Sequence, residues 1–362
     1  MRARWIGMTL SLAAIAPEQD VEDLSDLLRP IREAREVPAL GVAVLEGGAL
    51  RGLGVDGVRK VGSDEVVTTK DLWHLGSCTK AMTATWLAML VEDGKLSWDT
   101  TVAAGLPDLR EDLDESAAKI TVGRLLQHRA GIPASPPPAL WAELFRYEGS
   151  DQEARTDVAQ ALLGEPVEAP LGERFLYSNA GYMIAGAVGE RAAGAGWQQQ
   201  LRARLFAPLG MERVGFGPPG DAARVDQPWG HRRQGKESVP LFLDNPSSLG
   251  PAGTVHASLE DWARFVALHL GVGGDAPLLQ EASLAALHTP PDEGPYALGW
   301  GVTRRDWAPG PILTHSGSNT MWFCVAWLAP EARFAVLVTC NHGDGQRACD
   351  EVAAACIRRY RR

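Results

Sequence analysis

The segment from Ser77 to Glu92 constrains the fold of this chain most, because it is an uninterrupted helical pattern that opens on a serine. It contains neither glycine nor proline, and Asp93-Gly94 directly after it supplies a stop, since glycine takes the left-handed conformation of many helix ends. Apolar residues surround the helix instead of forming one stripe, which predicts a central core helix. Ser77 then lies in the first turn, with Lys80 one turn further along the same face.

Ser77 and Lys80 form a Ser-x-x-Lys pattern with chemical meaning. A serine hydroxyl is a poor nucleophile until a base takes its proton, and lysine is such a base when burial lowers its pKa. The first turn of a helix adds free N–H groups and a partial positive charge, which favour an oxyanion. The pattern alone is weak, because Ser116-Ala-Ala-Lys119 matches it too. That second match follows the acidic run 111–115 and opens no apolar helix, so a solvated turn is expected there.

Composition and charge narrow the class of protein. The chain has 362 residues, of which 45% are hydrophobic, as in an ordinary globular protein with a large core. Its net charge is -10, and the basic residues cluster only at Arg358 to Arg362, so nucleic acid is not expected as a partner. Beyond the N-terminus nothing approaches the roughly 18 apolar residues that a membrane span needs.

The N-terminus has the pattern of an export signal. Arg2 and Arg4 precede a mostly apolar segment from Trp5 to Ala16, which ends in small residues. Pro17 is unfavourable directly after a cleavage site, so the exact position of cleavage is not assigned. A buried N-terminal helix is the alternative interpretation of this segment. We predict a signal peptide at residues 1–16 and a mature protein, residues 17–362, that is periplasmic or extracellular.

The five cysteines are an odd number, which leaves one thiol unpaired unless its partner lies on another chain. They are Cys78, Cys324, Cys340, Cys349 and Cys356. Cys349 and Cys356 lie seven residues apart in a predicted helix, about 10 Å along its axis and beyond the reach of a disulfide. Cys324 and Cys340 lie on predicted adjacent strands, and their pairing is left open. No Cys-x-x-Cys or His-x-x-x-His pattern indicates a metal, so neither a metal nor a cofactor is expected.

Strand patterns at both ends of the chain enclose a helical middle. The predicted N-terminal elements are a helix from Asp20 to Arg35 and strands at Leu40–Leu45, Leu50–Val55, Val58–Val61 and Val66–Thr69. The predicted C-terminal elements are strands at Tyr296–Thr303, Met321–Leu328 and Arg333–Cys340 and a helix at Asp344–Tyr360. In between, Thr121 and Ser258 are predicted to cap helices, and Gly215 to Pro240 is expected to be irregular. The prediction is an α+β fold: an antiparallel sheet built from both ends of the chain and covered by helices, with a helical lobe, residues 95–250, inserted into a single domain.

Two further patterns supply chemical groups. Tyr177-Ser-Asn179 directly precedes a predicted helix, where a phenol can shuttle protons and an amide can hold a substrate carbonyl. Taken alone, these are more often an ordinary loop tyrosine and a helix-capping asparagine. His315-Ser-Gly317-Ser318 precedes the predicted strand that starts at Met321. Its glycine permits a substrate backbone to approach closely, and the Ser318 N–H can point into a site. Taken alone, it is more often a simple turn.

In this order, the three patterns resemble those of the serine beta-lactamase and penicillin-binding protein superfamily. The closest match is its class C-like branch, which includes carboxylesterases and D-amino acid peptidases. Further segments resemble the usual sequence motifs of that branch: Leu125-Leu-Gln-His128-Arg-Ala-Gly131-Ile-Pro133, Phe175 to Tyr182, Phe206 to Met211, and Ala252-Gly253-Thr254. The resemblance runs from about residue 20 to the end of the chain and implies the beta-lactamase/transpeptidase-like fold.

The resemblance also implies roles for the matching residues. Ser77 would be the acylated nucleophile, Lys80 its proton acceptor, and Tyr177 a general base or acid. Asn179 would hold Lys80 and the substrate. The backbone N–H groups of Ser77 and Ser318 would form the oxyanion hole, typically the largest electrostatic contribution to acyl transfer.

Other positions are structural or depart from the family pattern. Gly317 would let the oxyanion strand approach the substrate. His128 matches a signature histidine that the family pattern makes structural, and Arg129-Ala130 stands where Thr-Ser is usual. His315 replaces the lysine that beta-lactamases usually carry. An imidazole with an ordinary pKa of about 6.5 attracts a carboxylate less than an ammonium does, so uncharged esters or amides are the expected substrates.

The predicted function is an exported serine hydrolase that forms an acyl-enzyme on Ser77 with a small-molecule ester, amide or peptide. A beta-lactamase or penicillin-binding DD-peptidase is the alternative within the same chemistry. A catalytically silent ligand-sensing or interaction domain is the alternative of another class. An alpha/beta-hydrolase is not favoured, because the chain contains no Gly-x-Ser-x-Gly elbow. The oligomeric state is not predicted.

Overall fold

The structure is a computed structural model that describes residues 21–272 and 277–361. The predicted signal peptide at residues 1–16 lies outside the described residues. The helices are α1 Ser25–Ala34, α2 Thr79–Glu92, α3 Val102–Gly105, α4 Val122–Leu126, α5 Pro138–Leu144, α6 Asp151–Leu163, α7 Asn179–Ala193, α8 Trp197–Leu201, α9 Gly250–Gly253, α10 Leu259–His269, α11 Glu281–His288 and α12 Gln346–Tyr360. The strands are β1 Glu22–Asp23, β2 Ala39–Glu46, β3 Ala49–Gly57, β4 Trp73–His74, β5 Val214–Phe216, β6 Gly230–Gln234, β7 Glu237–Leu241, β8 Val255–Ala257, β9 Gly301–Thr303, β10 Ile312–Ser318, β11 Phe323–Ala329 and β12 Phe334–Cys340.

The main sheet joins the two ends of the chain, as predicted. Its strand order is β1-β3-β2-β12-β11-β10-β9, and its neighbours are antiparallel apart from the short parallel pair of β1 and β3. The junction lies between β2 and β12, where Val42 is paired with Val338. The α+β prediction is therefore confirmed. The predicted lobe limits at residues 95 and 250 and the single domain from residue 17 remain predictions.

Strand β2 reads as a continuous apolar run because both faces of the sheet are covered. Leu40, Val42 and Val44 pack into a cluster with residues of α1 and α12. Ala43 and Leu45 point the other way, into the larger core that contains α2. The predicted first and last helices thus cover one face of the sheet, and the helical middle of the chain covers the other.

Helix α2 is the central core helix that the sequence predicts. Every residue from Thr79 to Leu90 is buried, and the helix ends at Glu92, directly before Asp93 and Gly94. One detail differs from the prediction. Ser77 lies in a short 3-10 turn, Gly76–Cys78, that runs directly into α2.

The hydroxyl caps predicted for two other helices are confirmed. Thr121 Oγ1 accepts from the Arg124 N–H at 3.2 Å at the start of α4. Ser258 Oγ accepts from the Asp261 N–H, also at 3.2 Å, at the start of α10. Both satisfy donors that the first turn of a helix leaves without an internal partner.

Several predicted strands are wrong in extent. The stretches Val58–Val61 and Val66–Thr69 contribute only one bridge, between Val58 and Val66. The region from Gly215 to Pro240 is irregular only in part: residues 217–229 form no helix or strand, but the region also holds most of β5 and the hairpin of β6 and β7. That hairpin is rich in polar residues and partly exposed, so it lacks the apolar alternation by which a strand is recognised.

The pairing left open for Cys324 and Cys340 does not occur. All five cysteines lie in the described residues, and each is a free, buried thiol. Cys340 is paired across the sheet with Phe323, one position from Cys324. Because neighbouring residues of a strand point to opposite faces, the two thiols enter different clusters. Cys324 instead has its Sγ 3.5 Å from the Sγ of Cys78.

A buried ion pair holds the helical part of the chain together. Arg155 on α6 donates from Nε to Glu190 on α7 at 3.0 Å, and the two side chains are 0% and 3% exposed. Arg155 also donates to the Ser248 carbonyl, while Glu190 accepts from the Trp197 N–H at 2.7 Å. The pair therefore ties four segments of the helical part together.

Removing Glu190 is expected to destabilise the protein strongly. Glu190→Ala leaves the Arg155 charge buried and unpaired, which lowers the free energy of unfolding by about 3–5 kcal/mol. The neighbouring Arg191 pairs with Asp108, but these side chains are 54% and 70% exposed, so Arg191→Ala changes stability by at most about 1 kcal/mol. Urea unfolding of both variants measures the contrast. Equally small decreases in the free energy of unfolding for both variants would show that the buried ion pair contributes no more than the exposed one.

No helix among the described residues is both long enough and apolar enough to cross a membrane.

Candidate active site

The fold brings Ser77 and Lys80 together as predicted. Ser77 lies in the 3-10 turn before α2, and Lys80 is in the first turn of α2. Lys80 Nζ lies 3.0 Å from Ser77 Oγ. This contact places a basic nitrogen within hydrogen-bonding distance of a hydroxyl, which is the geometry that proton transfer between them requires.

Lys80 is fully buried, and two acceptors fix the orientation of its amine. Its Nζ donates to Asn179 Oδ1 at 2.8 Å and to the Ala252 carbonyl at 2.8 Å. Burial holds the pKa of Lys80 well below its ordinary value, because the charged form loses its hydration. A neutral amine has two hydrogens and one lone pair. Both partners only accept, so they take the two hydrogens and leave the lone pair for the Ser77 O–H.

Asn179 can hold Lys80 because another residue caps its helix. Ser178 is the N-cap of α7, and its Oγ accepts from the Gly181 N–H at 2.9 Å. Asn179 is thus not the helix cap that its pattern, taken alone, would more often indicate. Its amide oxygen is free to fix the Lys80 amine.

Tyr177 is the third side chain next to Ser77 and Lys80. Its phenol interacts with the Ser77 hydroxyl, and Lys80 Nζ is 4.8 Å from the centre of its ring. The residue keeps 37% of its surface exposed, yet burial around the hydroxyl raises its pKa to about 12. Tyr177 therefore carries its proton at neutral pH and can donate it.

The turn that holds Ser77 packs directly against strand β10. A Cβ atom at Gly317 would lie 2.9 Å from the Ser77 nitrogen, and one at Gly76 would collide with the Ser318 nitrogen. Only glycine permits this approach, and Gly76 also has a φ of +46°. The backbone nitrogens of Ser77 and Ser318 consequently lie on either side of one narrow junction, as the two donors of an oxyanion hole must.

His315 is part of β10, not of a turn before a strand, and its ring is turned inward. The residue is 8% exposed, with Nδ1 2.6 Å from the Ser316 carbonyl and Nε2 2.8 Å from the Tyr296 hydroxyl. Since a carbonyl only accepts, Nδ1 carries the proton and Nε2 accepts from Tyr296. Both nitrogens thus have uncharged partners within the protein.

His128 has the structural position that the sequence suggests. Its Nδ1 accepts from the Ser178 N–H at 3.0 Å, beside Tyr177 and Asn179. Its ring centre lies 4.3 Å from that of Tyr177. Burial keeps the pKa of His128 well below its ordinary value, so the ring supports the Tyr177 loop as a neutral group. The unusual Arg129 donates to the Gly172 and Glu293 carbonyls and fastens the same loop.

The competing Ser-x-x-Lys match does not form a pair. Ser116 donates to Asp114 at 2.5 Å, and Lys119 donates to Glu115 at 2.9 Å with its side chain 65% exposed. Within residues 21–272 and 277–361, no three His, Cys, Asp or Glu side chains are grouped as a metal ion requires.

Sequence reasoning missed two contributors to the site. The first is the backbone carbonyl of Ala252, which accepts from Lys80 and which no side-chain type could indicate. Its segment, Ala252-Gly253-Thr254, is nevertheless one of those that match the family's sequence pattern. Tyr296 was assigned to a strand, whereas β9 begins only at Gly301 and the Tyr296 hydroxyl holds His315. The sequence offered one indication of this contact, namely that the hydroxyl of a buried tyrosine usually has a hydrogen-bond partner.

The fold and this grouping of side chains define a beta-lactamase-fold protein of the serine hydrolase class. The chain belongs to the beta-lactamase family, whose model matches residues 24–355. It is 32% identical over 326 residues to penicillin-binding protein 4 of Amycolatopsis lactamdurans, covering 86% of this chain and 83% of the relative.

Two other comparisons extend this relationship. Unguisins hydrolase ungD of Aspergillus violaceofuscus is 25% identical over 374 residues, and the match covers 90% of this chain but only 63% of that longer protein. The structure of a class C beta lactamase from Rhodobacter sphaeroides superposes with a TM-score of 0.73 at 22% identity. That match covers 92% of this chain and 97% of the other, which shows a shared fold.

Proposed function

We propose that this protein hydrolyses an ester or amide through an acyl-enzyme on Ser77. The observation that carries the proposal is the Lys80 amine, which is buried, held by two acceptors and 3.0 Å from Ser77 Oγ. A silent sensing domain has no need for such an arrangement. The proposal includes export by the N-terminal segment and a single catalytic domain from residue 17.

Acylation begins when Ser77 Oγ attacks the substrate carbonyl carbon and its proton passes to Lys80 Nζ. The carbonyl π electrons move to oxygen, where the N–H groups of Ser77 and Ser318 stabilise the charge. When the tetrahedral intermediate collapses, the bond to the leaving group breaks and Tyr177 gives that group its proton. The Tyr177 phenolate then takes the proton held by Lys80. Water repeats the sequence on the acyl-enzyme and releases the acid.

The proposed substrate has an uncharged acyl portion, as in carboxylesterase- or D-peptidase-type substrates. His315 stands where a lysine would offer a fixed positive charge, and its nitrogens are occupied by Ser316 and Tyr296. A second candidate is reaction with penicillin, which the relationship to a penicillin-binding protein favours. Because the site lacks that lysine, we expect acylation by penicillin to be followed by little beta-lactamase turnover.

A substrate panel tests the proposal. The full chain is given short-chain p-nitrophenyl esters, D-amino acid peptides and a chromogenic cephalosporin, and in parallel a fluorophosphonate probe that labels activated serines. Hydrolysis of esters or D-peptides together with labelling supports the function. Absence of both hydrolysis and labelling would favour the silent domain.

His315→Lys is expected to shift the substrate preference toward carboxylate-bearing compounds. A lysine ammonium at this position attracts an anion that the imidazole does not, so the ratio of cephalosporin to ester kcat/KM rises by about 10-fold, as a modest charge contact allows. Steady-state kinetics on both substrates measures the ratio. Efficient wild-type cephalosporin hydrolysis, undiminished above pH 8, would contradict the reasoning.

The rate of acylation is expected to stay high well below the ordinary lysine pKa of 10.5. Lys80 must be neutral to act as a base, and burial lowers its pKa, so the neutral fraction is larger at pH values below 10.5 than for an ordinary lysine. Activity falls only as acid protonates Lys80, whereas Tyr177 loses its proton near pH 12 and leaves the alkaline side flat. The measurement is kcat/KM for an uncharged ester from pH 5 to 10. A kcat/KM that still rises about tenfold for each pH unit up to pH 10 would show that Lys80 has an ordinary pKa.

A further inference from the structure

A second polar network lies behind the oxyanion junction and includes none of the residues assigned a chemical role above. His74 Nδ1 accepts from the Gly76 N–H at 3.1 Å, so Nε2 carries the ring's proton and donates it to Asp244 Oδ2 at 2.8 Å. The other carboxylate oxygen, Oδ1, accepts from Asn319 Nδ2 at 2.9 Å and from the Asn245 N–H at 2.8 Å. The side chains of His74 and Asp244 are 0% and 4% exposed.

The two ends of this network adjoin the two proposed oxyanion donors. His74 holds Gly76, which directly precedes Ser77 and begins its turn. Asn319 directly follows Ser318 at the end of β10, and its own Oδ1 accepts from the Met321 N–H at 3.2 Å. One carboxylate therefore connects the segment of one donor with the segment of the other.

The hydrogen bonds around Asp244 require a carboxylate at this position. A buried carboxylate is costly unless hydrogen bonds satisfy it, and Asp244 receives them from a ring, an amide and a backbone N–H. Both of its oxygens accept. An asparagine offers one accepting oxygen and one donating nitrogen, so it satisfies only one side and places a donor against a donor on the other.

We propose that Asp244 is a positioning residue that sets the separation of the Ser77 and Ser318 N–H groups through His74 and Asn319. The inference rests on the proposed function. Its consequence is confined to the step in which negative charge develops on the substrate oxygen. Loss of the link lowers kcat and leaves KM nearly unchanged, because a ground-state carbonyl gains less from the two donors than the transition state does.

Three variants test the link. His74→Asn keeps an acceptor at the Nδ1 position for Gly76 but is too short to reach Asp244. Asp244→Asn keeps the size of the side chain and removes one acceptor. His256→Asn is the matched control, since His256 is paired opposite His74 in the β4–β8 ladder and bonds the Gly217 carbonyl at 2.8 Å.

The readouts are kcat and KM for a p-nitrophenyl ester and the affinity for phenylboronic acid, whose serine adduct places an oxygen between the two donors. Loss of one oxyanion donor costs about 100- to 1,000-fold. We expect a displaced donor to cost about 10- to 100-fold in kcat and in boronate affinity for His74→Asn and Asp244→Asn, with KM within about 2-fold and His256→Asn like the wild type.

Several results would overturn the inference. They are wild-type kcat in both variants, a fall in kcat without a fall in boronate affinity, or an equal fall in His256→Asn. If Asp244→Asn fails to fold, Asn319→Ala makes the same test, since it cuts the link on the Ser318 side only. A wild-type chain that neither hydrolyses the ester nor binds the boronate removes the proposed function, and this inference with it.

Discussion

Ser77→Ala is expected to lower ester hydrolysis by more than about 1,000-fold and to abolish labelling by a fluorophosphonate. The hydroxyl of Ser77 lies 3.0 Å from the Lys80 amine and interacts with the Tyr177 phenol, so it is the group that the site can activate. Alanine removes the nucleophile and leaves the turn and helix α2 in place. Steady-state kinetics and peptide mapping of the labelled protein make the measurement.

Ser116→Ala is the matched control, because Ser116 opens the second Ser-x-x-Lys match in the same chain. Its hydroxyl is bound to Asp114, and Lys119 points toward Glu115, so both activity and labelling are expected to stay near the wild-type level. Labelling that persists in Ser77→Ala, with the adduct on another residue, would contradict the assignment of the nucleophile.

Lys80→Arg is expected to reduce acylation nearly as much as Lys80→Ala does, by about 1,000-fold or more. Arginine keeps a positive charge but does not give up its proton in a protein, so it cannot accept one from Ser77. The pocket is also fully buried and its two acceptors are placed for one amine nitrogen, which a planar guanidinium does not reproduce. Rapid-mixing kinetics of ester acylation separates this step from deacylation.

Lys119→Arg is the control for the lysine series, since that side chain is exposed and its exchange alters no contact of the site. Acylation at the wild-type rate in Lys80→Arg would mean that Tyr177 alone activates the serine. Such a result would replace the proposed base without changing the nucleophile.

The sequence predicted those parts of the fold that have a strong local pattern. Helix α2 was recognisable because it is apolar on all sides and ends before Asp93-Gly94, and β2 because it is apolar on both faces. The hairpin of β6 and β7 was missed because its strands are mostly polar and partly exposed. Hydrophobic periodicity gives little signal where a strand does not bury one face.

The site was predictable where side-chain type and order along the chain carry the chemistry. Ser77, Lys80, Tyr177 and Asn179 come together in the structure as the family resemblance implied. Their catalytic roles stay predictions.

Contacts between distant segments were not predictable from the sequence. The Ala252 carbonyl lies 172 residues from Lys80, and Asp244 lies 170 residues from His74. No local pattern marks a backbone carbonyl as an acceptor for an amine, nor a loop aspartate as the partner of a buried histidine. Such pairs become visible only when the fold has placed their segments side by side.

The most direct test of the central claim is the mass of the protein during turnover of a slow ester. The full chain is mixed with excess ester, quenched in acid within the first turnover, and analysed as intact protein and as peptides. The account predicts a mass increase equal to one acyl group, located on the peptide that contains Ser77. Turnover at the full wild-type rate with no covalent adduct, or with the adduct on another residue, would contradict it.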